Sequence, residues 1–84
     1  MKWTVTYRPS ADDQLAELWL NATDRQAVAR SSNAIARQLA ADPLIAGESR
    51  EGNLRILIEP PLAVIYDVSE SDRLVAVWSV TEWH

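Results

Sequence analysis

The first residues of the chain alternate polar and apolar side chains. The apolar positions within residues 2–8 are Trp3, Val5 and Tyr7. Aromatic and β-branched residues at a period of two are typical of a strand with one buried face. Pro9 predicts the end of this strand, because proline cannot donate to a sheet ladder. Ser10 is a residue type that caps helices, so we expect it to open the next element.

Two amphipathic helices are predicted after this strand. The first has apolar residues at helical spacing, namely Leu15, Leu18, Trp19 and Ala22. The second should run from about Arg25 to Ala41, capped by Thr23 or Asp24, with an apolar seam formed by Val28, Ile35 and Leu39. Small residues beside the seam favour close helix packing, so we interpret 11–41 as a helical hairpin. Asp42–Pro43 should end it, because a residue before proline avoids the helical region.

The residue pattern after position 42 predicts a loop and then an antiparallel meander of strands. Residues 43–53 contain both glycines and mixed charges, which is typical of a loop. Three apolar, β-branched runs follow with short connections, at Leu54–Ile58, Leu62–Val68 and Leu74–Val80. Segregated helices and strands indicate an α+β fold, with a sheet of about four strands packed on two helices. We expect residues 1–84 to form a single domain.

Charge and composition narrow the range of functions. The 84 residues contain no cysteine, which excludes disulfides, thiolate nucleophiles and cysteine-based zinc sites. Residues 1–41 carry five basic and four acidic side chains, whereas residues 42–84 carry three basic and eight acidic ones. The net charge of −4 argues against broad phosphate binding. We predict no metal, no cofactor, no membrane span and a cytoplasmic location.

Three stretches of the chain carry a family resemblance. WTVTYRPSADDQLAEL, IARQLAADPLIAG and LRILIEPPLAVIYDV resemble, in this order, the opening strand and helix, the end of the second helix, and the β-hairpin of the RelE/ParE superfamily of bacterial toxins. The resemblance spans essentially the whole chain. It implies the toxin component of a type II toxin–antitoxin module, associated with plasmid stabilisation and growth inhibition. Such a toxin is neutralised by a cognate antitoxin.

The resemblance leaves the molecular target open. RelE-like members cleave mRNA on the ribosome without a metal, and ParE-like members poison DNA gyrase. A catalytically degenerate, non-enzymatic protein-binding member of the same fold is the alternative function. A homodimer and a toxin–antitoxin hetero-oligomer are both compatible with the resemblance.

The same resemblance implies candidate catalytic residues. Arg55 stands where the family has a strand-opening arginine, and Arg50 matches a basic loop position. The only histidine, His84, lies where nuclease members carry a proton-transfer residue, and its ordinary pKa suits acid–base chemistry. Glu48 and Glu51 are weaker candidates as a loop base, and Glu48 is also a candidate for contacts with the substrate or a partner. Ala63, however, occupies the place of an arginine that stabilises charge in the nuclease branch.

Other positions are candidates for partner contacts or for the core. Arg30 and Arg37 lie seven residues apart on a polar stripe of the second helix, which is either a solvated face or a partner surface. Trp83 lies past the alternation of the last strand and either stacks on a partner or packs at the sheet edge. The remaining tryptophans and one tyrosine are predicted to be core residues: Trp3, Trp19, Trp78 and Tyr66.

Overall fold

The computed structural model describes residues 2–83 and has the α+β architecture predicted from the sequence. The elements in chain order are β1 (Thr4–Tyr7), α1 (Pro9–Asn21), α2 (Arg25–Ala41), α3 (Pro43–Ala46), β2 (Glu48–Ser49), β3 (Arg55–Glu59), β4 (Leu62–Ser69) and β5 (Leu74–Glu82). The sheet order is β1-β5-β4-β3-β2, with β1 parallel to β5 and all other pairs antiparallel. The predicted hairpin of helices and the three-strand meander are therefore confirmed.

The segment between α2 and β3 is more ordered than a loop. The prediction of a loop over residues 43–53 is wrong in its first half, because α3 and the two-residue strand β2 form there and give the sheet a fifth strand. Gly47 permits this close approach: a Cβ at this position would collide with the Ile56 carbonyl and would lie 2.5 Å from the Tyr66 hydroxyl. The sequence pattern carries no periodicity for such short elements, so tertiary contacts decide their structure.

The core lies between the helices and one face of the sheet. Its buried side chains come from both layers: Ala11, Val28, Ile35, Leu39, Leu57, Leu62, Val64, Tyr66, Val75, Val77 and Val80. Tyr66 is fully buried, as predicted, and its hydroxyl donates to the Pro43 carbonyl at 2.7 Å. This hydrogen bond satisfies the buried phenol and attaches the start of α3 to the central strand β4.

The two helix starts differ from each other in their capping. Asp24 caps α2 as predicted, since its carboxylate accepts from the Ala27 amide at 3.0 Å. The prediction that Ser10 caps the first helix is wrong: α1 begins at Pro9, and Arg8 is the N-cap with no side-chain bond. Proline is favoured at the first helical position because its missing N–H would have no partner there.

Two of the tryptophans predicted as core residues are at the surface. Trp19 is 41% exposed and Trp78 is 40% exposed, so that prediction is wrong for both. Trp3 is partly buried against the core, as expected. The prediction failed for Trp78 because that side chain lies on the sheet face away from the helices, where the described part of the chain provides no second layer.

Candidate functional site

Arg55 is engaged in holding the fold together. Its guanidinium donates to the carbonyls of Leu44 at 2.7 Å and Gly47 at 2.8 Å, and to the Ser49 hydroxyl at 3.1 Å. Its side chain lies on the helix side of the sheet, as does that of Leu57 two residues later in β3. Arg55 thus connects β3 to α3 and β2, and a phosphate would have to compete with three acceptors for it.

The other basic residue of this region has no such role. Arg50 is exposed in the turn between β2 and β3, where its main-chain amide donates to the Leu54 carbonyl at 2.8 Å. The left-handed conformation of Gly52, with φ of 60°, completes that turn. Arg50 is therefore the more exposed of the two cations at this end of the sheet, and its side chain is less engaged than that of Arg55.

Sheet register separates Glu48 from Arg55. Glu48 pairs with Ile56 and Ser49 pairs with Arg55. Because directly opposed residues project to the same face, the carboxylate of Glu48 lies on the open face and the guanidinium of Arg55 lies on the helix side. The structure brings the two residues to one edge of the sheet but does not bring their charged groups together.

Ala63 occupies the position at which the nuclease branch is expected to carry an arginine, so this position supplies no positive charge. Ala63 is fully buried in β4 and pairs with Ile58 on one side and Thr81 on the other. Its nearest sheet neighbours are neutral, so they do not supply the charge that the missing arginine would provide to a cleavage reaction. His84, the predicted proton-transfer residue, lies outside the described residues.

Trp83 directly follows β5 and is 39% exposed. Its main-chain amide donates to the Pro61 carbonyl at 2.8 Å, which ties it to the start of β4. The indole is therefore partly exposed, and its contact with a partner stays a prediction. Arg30 and Arg37 are exposed on α2, in a different element from Arg50 and Arg55.

A small cleft of about 240 Å³ opens beside Arg55. Its lining combines polar and apolar groups, among them Leu44, Ser49, Arg55, Val68 and Glu70. The carboxylate of Glu70 contributes a negative charge to this cleft, which disfavours an anionic ligand in it. The cleft is therefore poorly suited to hold a phosphate group.

Sequence reasoning missed a fixed aromatic group on the open face of the sheet. The Trp78 indole donates to the Asp67 carboxylate at 2.8 Å, and the Arg8 guanidinium lies 3.9 Å from its ring centre. The strand pairing shifts between Ile65 and Tyr66, which makes Trp78 the extra residue of a β-bulge in β5. The sequence does contain a signal for it, since the apolar period of two breaks after Val77.

An apolar groove runs between α1 and α2 on the outside of the hairpin. It has a volume of about 520 Å³, and its lining includes Leu15, Trp19, Leu20 and Val28. Leu20 is 61% exposed, and Arg25 lies over the Trp19 ring at 4.8 Å from its centre. Large exposed apolar groups in a groove of this kind are typical of protein interaction sites.

Tyr7 is the titratable group with a perturbed pKa among residues 2–83. Burial against the helices raises the pKa of its phenol, the nearby Asp12 carboxylate raises it further, and a hydrogen bond with Ser32 lowers it in part. The raised pKa keeps the phenol neutral at alkaline pH values at which an unperturbed tyrosine would ionise. Within the same range, no group of three His, Cys, Asp or Glu side chains is arranged to hold a metal. None of the described helices is long and apolar enough to span a membrane.

Solved toxin–antitoxin structures share this fold over nearly the whole chain. A chain of the toxin–antitoxin complex RelBE2 from Mycobacterium tuberculosis is 19% identical with a TM-score of 0.80, covering 98% of this chain and 99% of that one. The isolated RelE toxin from E. coli is 13% identical with a TM-score of 0.68, covering 98% and 85%.

A chain of the chromosomal ParDE toxin–antitoxin system from P. aeruginosa is 12% identical with a TM-score of 0.66, covering 98% and 97%. No protein-family model matches the sequence, and no curated protein matches it significantly. The likeness therefore rests on three-dimensional structure, and by its architecture this chain has the RelE/ParE toxin fold.

Proposed function

We propose that this protein is the toxin component of a type II toxin–antitoxin module, held inactive in the cytoplasm by a cognate antitoxin. The observation that carries the proposal is the likeness to the RelBE2 complex chain, which extends over 98% of the present chain and 99% of that chain. The resemblance of three separate sequence stretches to RelE/ParE toxins supports the same function independently.

The exposed apolar surface supports the antitoxin as a partner. Trp19, Leu20 and Ile45 are all exposed, with Ile45 at 79%. A domain of 84 residues buries only about 60–65% of its unfolded surface, so covering such groups contributes substantially to its stability. A partner helix with an apolar face fits the groove between α1 and α2.

The target is either the translating ribosome or DNA gyrase. Cleavage of mRNA would need clustered cations at a general acid or base. Against this requirement, Arg55 is bound to two carbonyls and a hydroxyl, and Ala63 stands where an arginine is expected. These features favour an action through protein binding, such as gyrase inhibition, over an action through catalysis. They also favour the second candidate function, a catalytically degenerate protein-binding member of the fold.

Growth after induction tests the toxin proposal. Induction in a bacterial host should arrest growth, and co-expression of the small reading frame next to its gene should restore growth. Unchanged growth at good expression of folded protein would contradict toxicity and favour the degenerate binding module.

If growth stops, two assays separate the targets. Transcript mapping in cell-free translation detects mRNA cleavage, and a supercoiling assay with purified gyrase detects gyrase inhibition. The Arg50→Ala variant serves as the internal comparison, because Arg50 is the accessible cation at the sheet edge. An Arg50→Ala toxin that arrests growth like the wild type would remove this residue from the mechanism.

A further inference from the structure

The basic side chains fall into two groups. Four of the eight basic residues are held by intramolecular contacts: Arg8, Arg25 and Arg73 lie over the rings of Trp78, Trp19 and Trp3, and Arg55 donates to carbonyls. Arg50 is isolated in the β2–β3 turn. The remaining three, Lys2, Arg30 and Arg37, share one surface along α2.

This surface, which we call the α2 cleft, consists of two clefts that meet at Arg37. One of about 420 Å³ lies between α2 and the turn at Pro60–Pro61 and includes Arg30 and Arg37. The other, of about 460 Å³, lies at the C-terminal end of α2 and includes Lys2 and Arg37. Within residues 2–83, the charged groups of these three basic side chains make no hydrogen bond or ion pair.

The α2 cleft is lined by three basic side chains and one carboxylate, so its charge is positive on balance. The Glu59 carboxylate at its border accepts from the Gln38 amide at 3.0 Å, which fixes it beside α2. Ser31 donates to the Glu59 carbonyl and closes the floor of the cleft. The alanines of α2 and Pro60–Pro61 provide apolar lining, and Ser31 and Asn33 add polar groups to the part of the cleft beside the prolines. The cleft thus combines a row of cations with small apolar walls.

The spacing of the cations matches the geometry of a helix. Arg30 and Arg37 are seven residues apart, which places them on one side of α2 and about 10.5 Å apart along its axis. A second helix with carboxylates seven residues apart presents the same spacing, and alanines permit its close approach. A nucleic acid fits less well, because it would not use the apolar walls and would be repelled by the net charge of −4.

We propose that the α2 cleft is a docking site for an acidic helical segment of a partner protein. The segment carries carboxylates on one face that pair with Arg30, Arg37 and Lys2, and small apolar residues between them contact the alanines of α2. This proposal does not depend on the toxin function, because a protein-binding member of the same fold would use the cleft in the same way.

The test measures binding of a defined probe to the purified chain. The probe is an alanine-based helical peptide with glutamates seven residues apart on one face, and its control has glutamine at those positions. In NMR titrations at about 25 mM salt, we expect the glutamate peptide to shift amide signals of α2 and of residues 59–61. The shifts should weaken strongly at about 300 mM salt, because exposed charges are then screened.

Protein variants assign the contacts. Arg30→Gln and Arg37→Gln should each weaken binding about two- to fivefold, and the double variant about tenfold. Arg50→Gln is the matched control, since it removes an exposed arginine elsewhere and should leave binding unchanged. All these side chains are exposed, so unfolding midpoints should stay near that of the wild type.

Several outcomes would overturn the proposal. One is a double variant that binds the glutamate peptide as tightly as the wild type, or an Arg50→Gln variant that loses as much affinity. Another is an oligouridylate that shifts the α2 signals more than the peptide does, which would assign the cleft to phosphates. Concentration-dependent shifts of the same signals without any peptide would assign it to self-association.

Discussion

Replacing Arg55 should destabilise the fold rather than remove a catalytic group. In Arg55→Ala, the carbonyls of Leu44 and Gly47 and the hydroxyl of Ser49 all lose their donor. A hydrogen bond from a charged group contributes about 1.5–3 kcal/mol when buried. Because Arg55 is half-buried, we take about 1 kcal/mol for each bond, which gives a loss of about 3 kcal/mol in the free energy of unfolding.

Urea denaturation followed by tryptophan fluorescence measures this loss. If the free energy of unfolding falls by about 1 kcal/mol per molar urea, the urea concentration at the unfolding midpoint should fall by about 3 M. Arg55→Lys keeps the charge but not the planar set of donors, so it should lose about half as much. Arg50→Ala is the matched control and should change the free energy by less than about 0.5 kcal/mol. An Arg55→Ala protein within about 0.5 kcal/mol of the wild type would refute the structural role.

Three further predictions follow from local geometry. Gly47→Ala should cost at least about 2 kcal/mol, because its Cβ would meet the Ile56 carbonyl and the Tyr66 hydroxyl; a thermal midpoint equal to that of the wild type would contradict this packing. Asp24→Ala should lower the unfolding free energy by about 1 kcal/mol through loss of the α2 cap, whereas Asp24→Ser should retain most of the stabilisation that the cap provides. Because folding raises the pKa of Tyr7, the neutral phenol contributes to the free energy of unfolding in full below about pH 10, the pKa of an unperturbed tyrosine. This contribution is lost as the pH rises through the folded pKa. Above about pH 10, the free energy of unfolding should therefore fall less steeply with pH in Tyr7→Phe than in the wild type. An equal fall in the two proteins, measured by alkaline denaturation, would disprove the effect.

The main elements could be predicted because each has a periodic apolar pattern. The alternation of residues 2–8 and the seam of Val28, Ile35 and Leu39 both depend on burial against one core, and that burial is visible in the sequence. The short elements α3 and β2 could not be predicted in this way. They depend on contacts distant in sequence, namely the bonds of Arg55 and the hydroxyl of Tyr66, for which a local pattern carries no signal.

The candidate site was less predictable than the fold for a related reason. A sequence shows that Arg55 is an arginine at a strand start, but the sheet register decides which face its guanidinium occupies. The resemblance suggested a phosphate contact, whereas three acceptors engage the side chain. Whether Arg50, Glu48 and Trp83 act in a site stays a prediction, and so does the role of His84.

The distribution of charge connects these observations to the target. At the edge formed by β2 and β3, the accessible cation Arg50 is close in sequence to Glu48 and Glu51, and Glu70 lines the cleft beside Arg55. A polyanion approaching this edge would therefore meet more exposed carboxylates than available cations, which weakens its attraction at any salt concentration. The free cations lie instead along α2, where alanines provide apolar surface between Arg37 and Lys2. An acidic protein segment can pair with these cations and can also pack against the alanines. Charge and shape together therefore favour protein partners over RNA as the direct contacts of this chain.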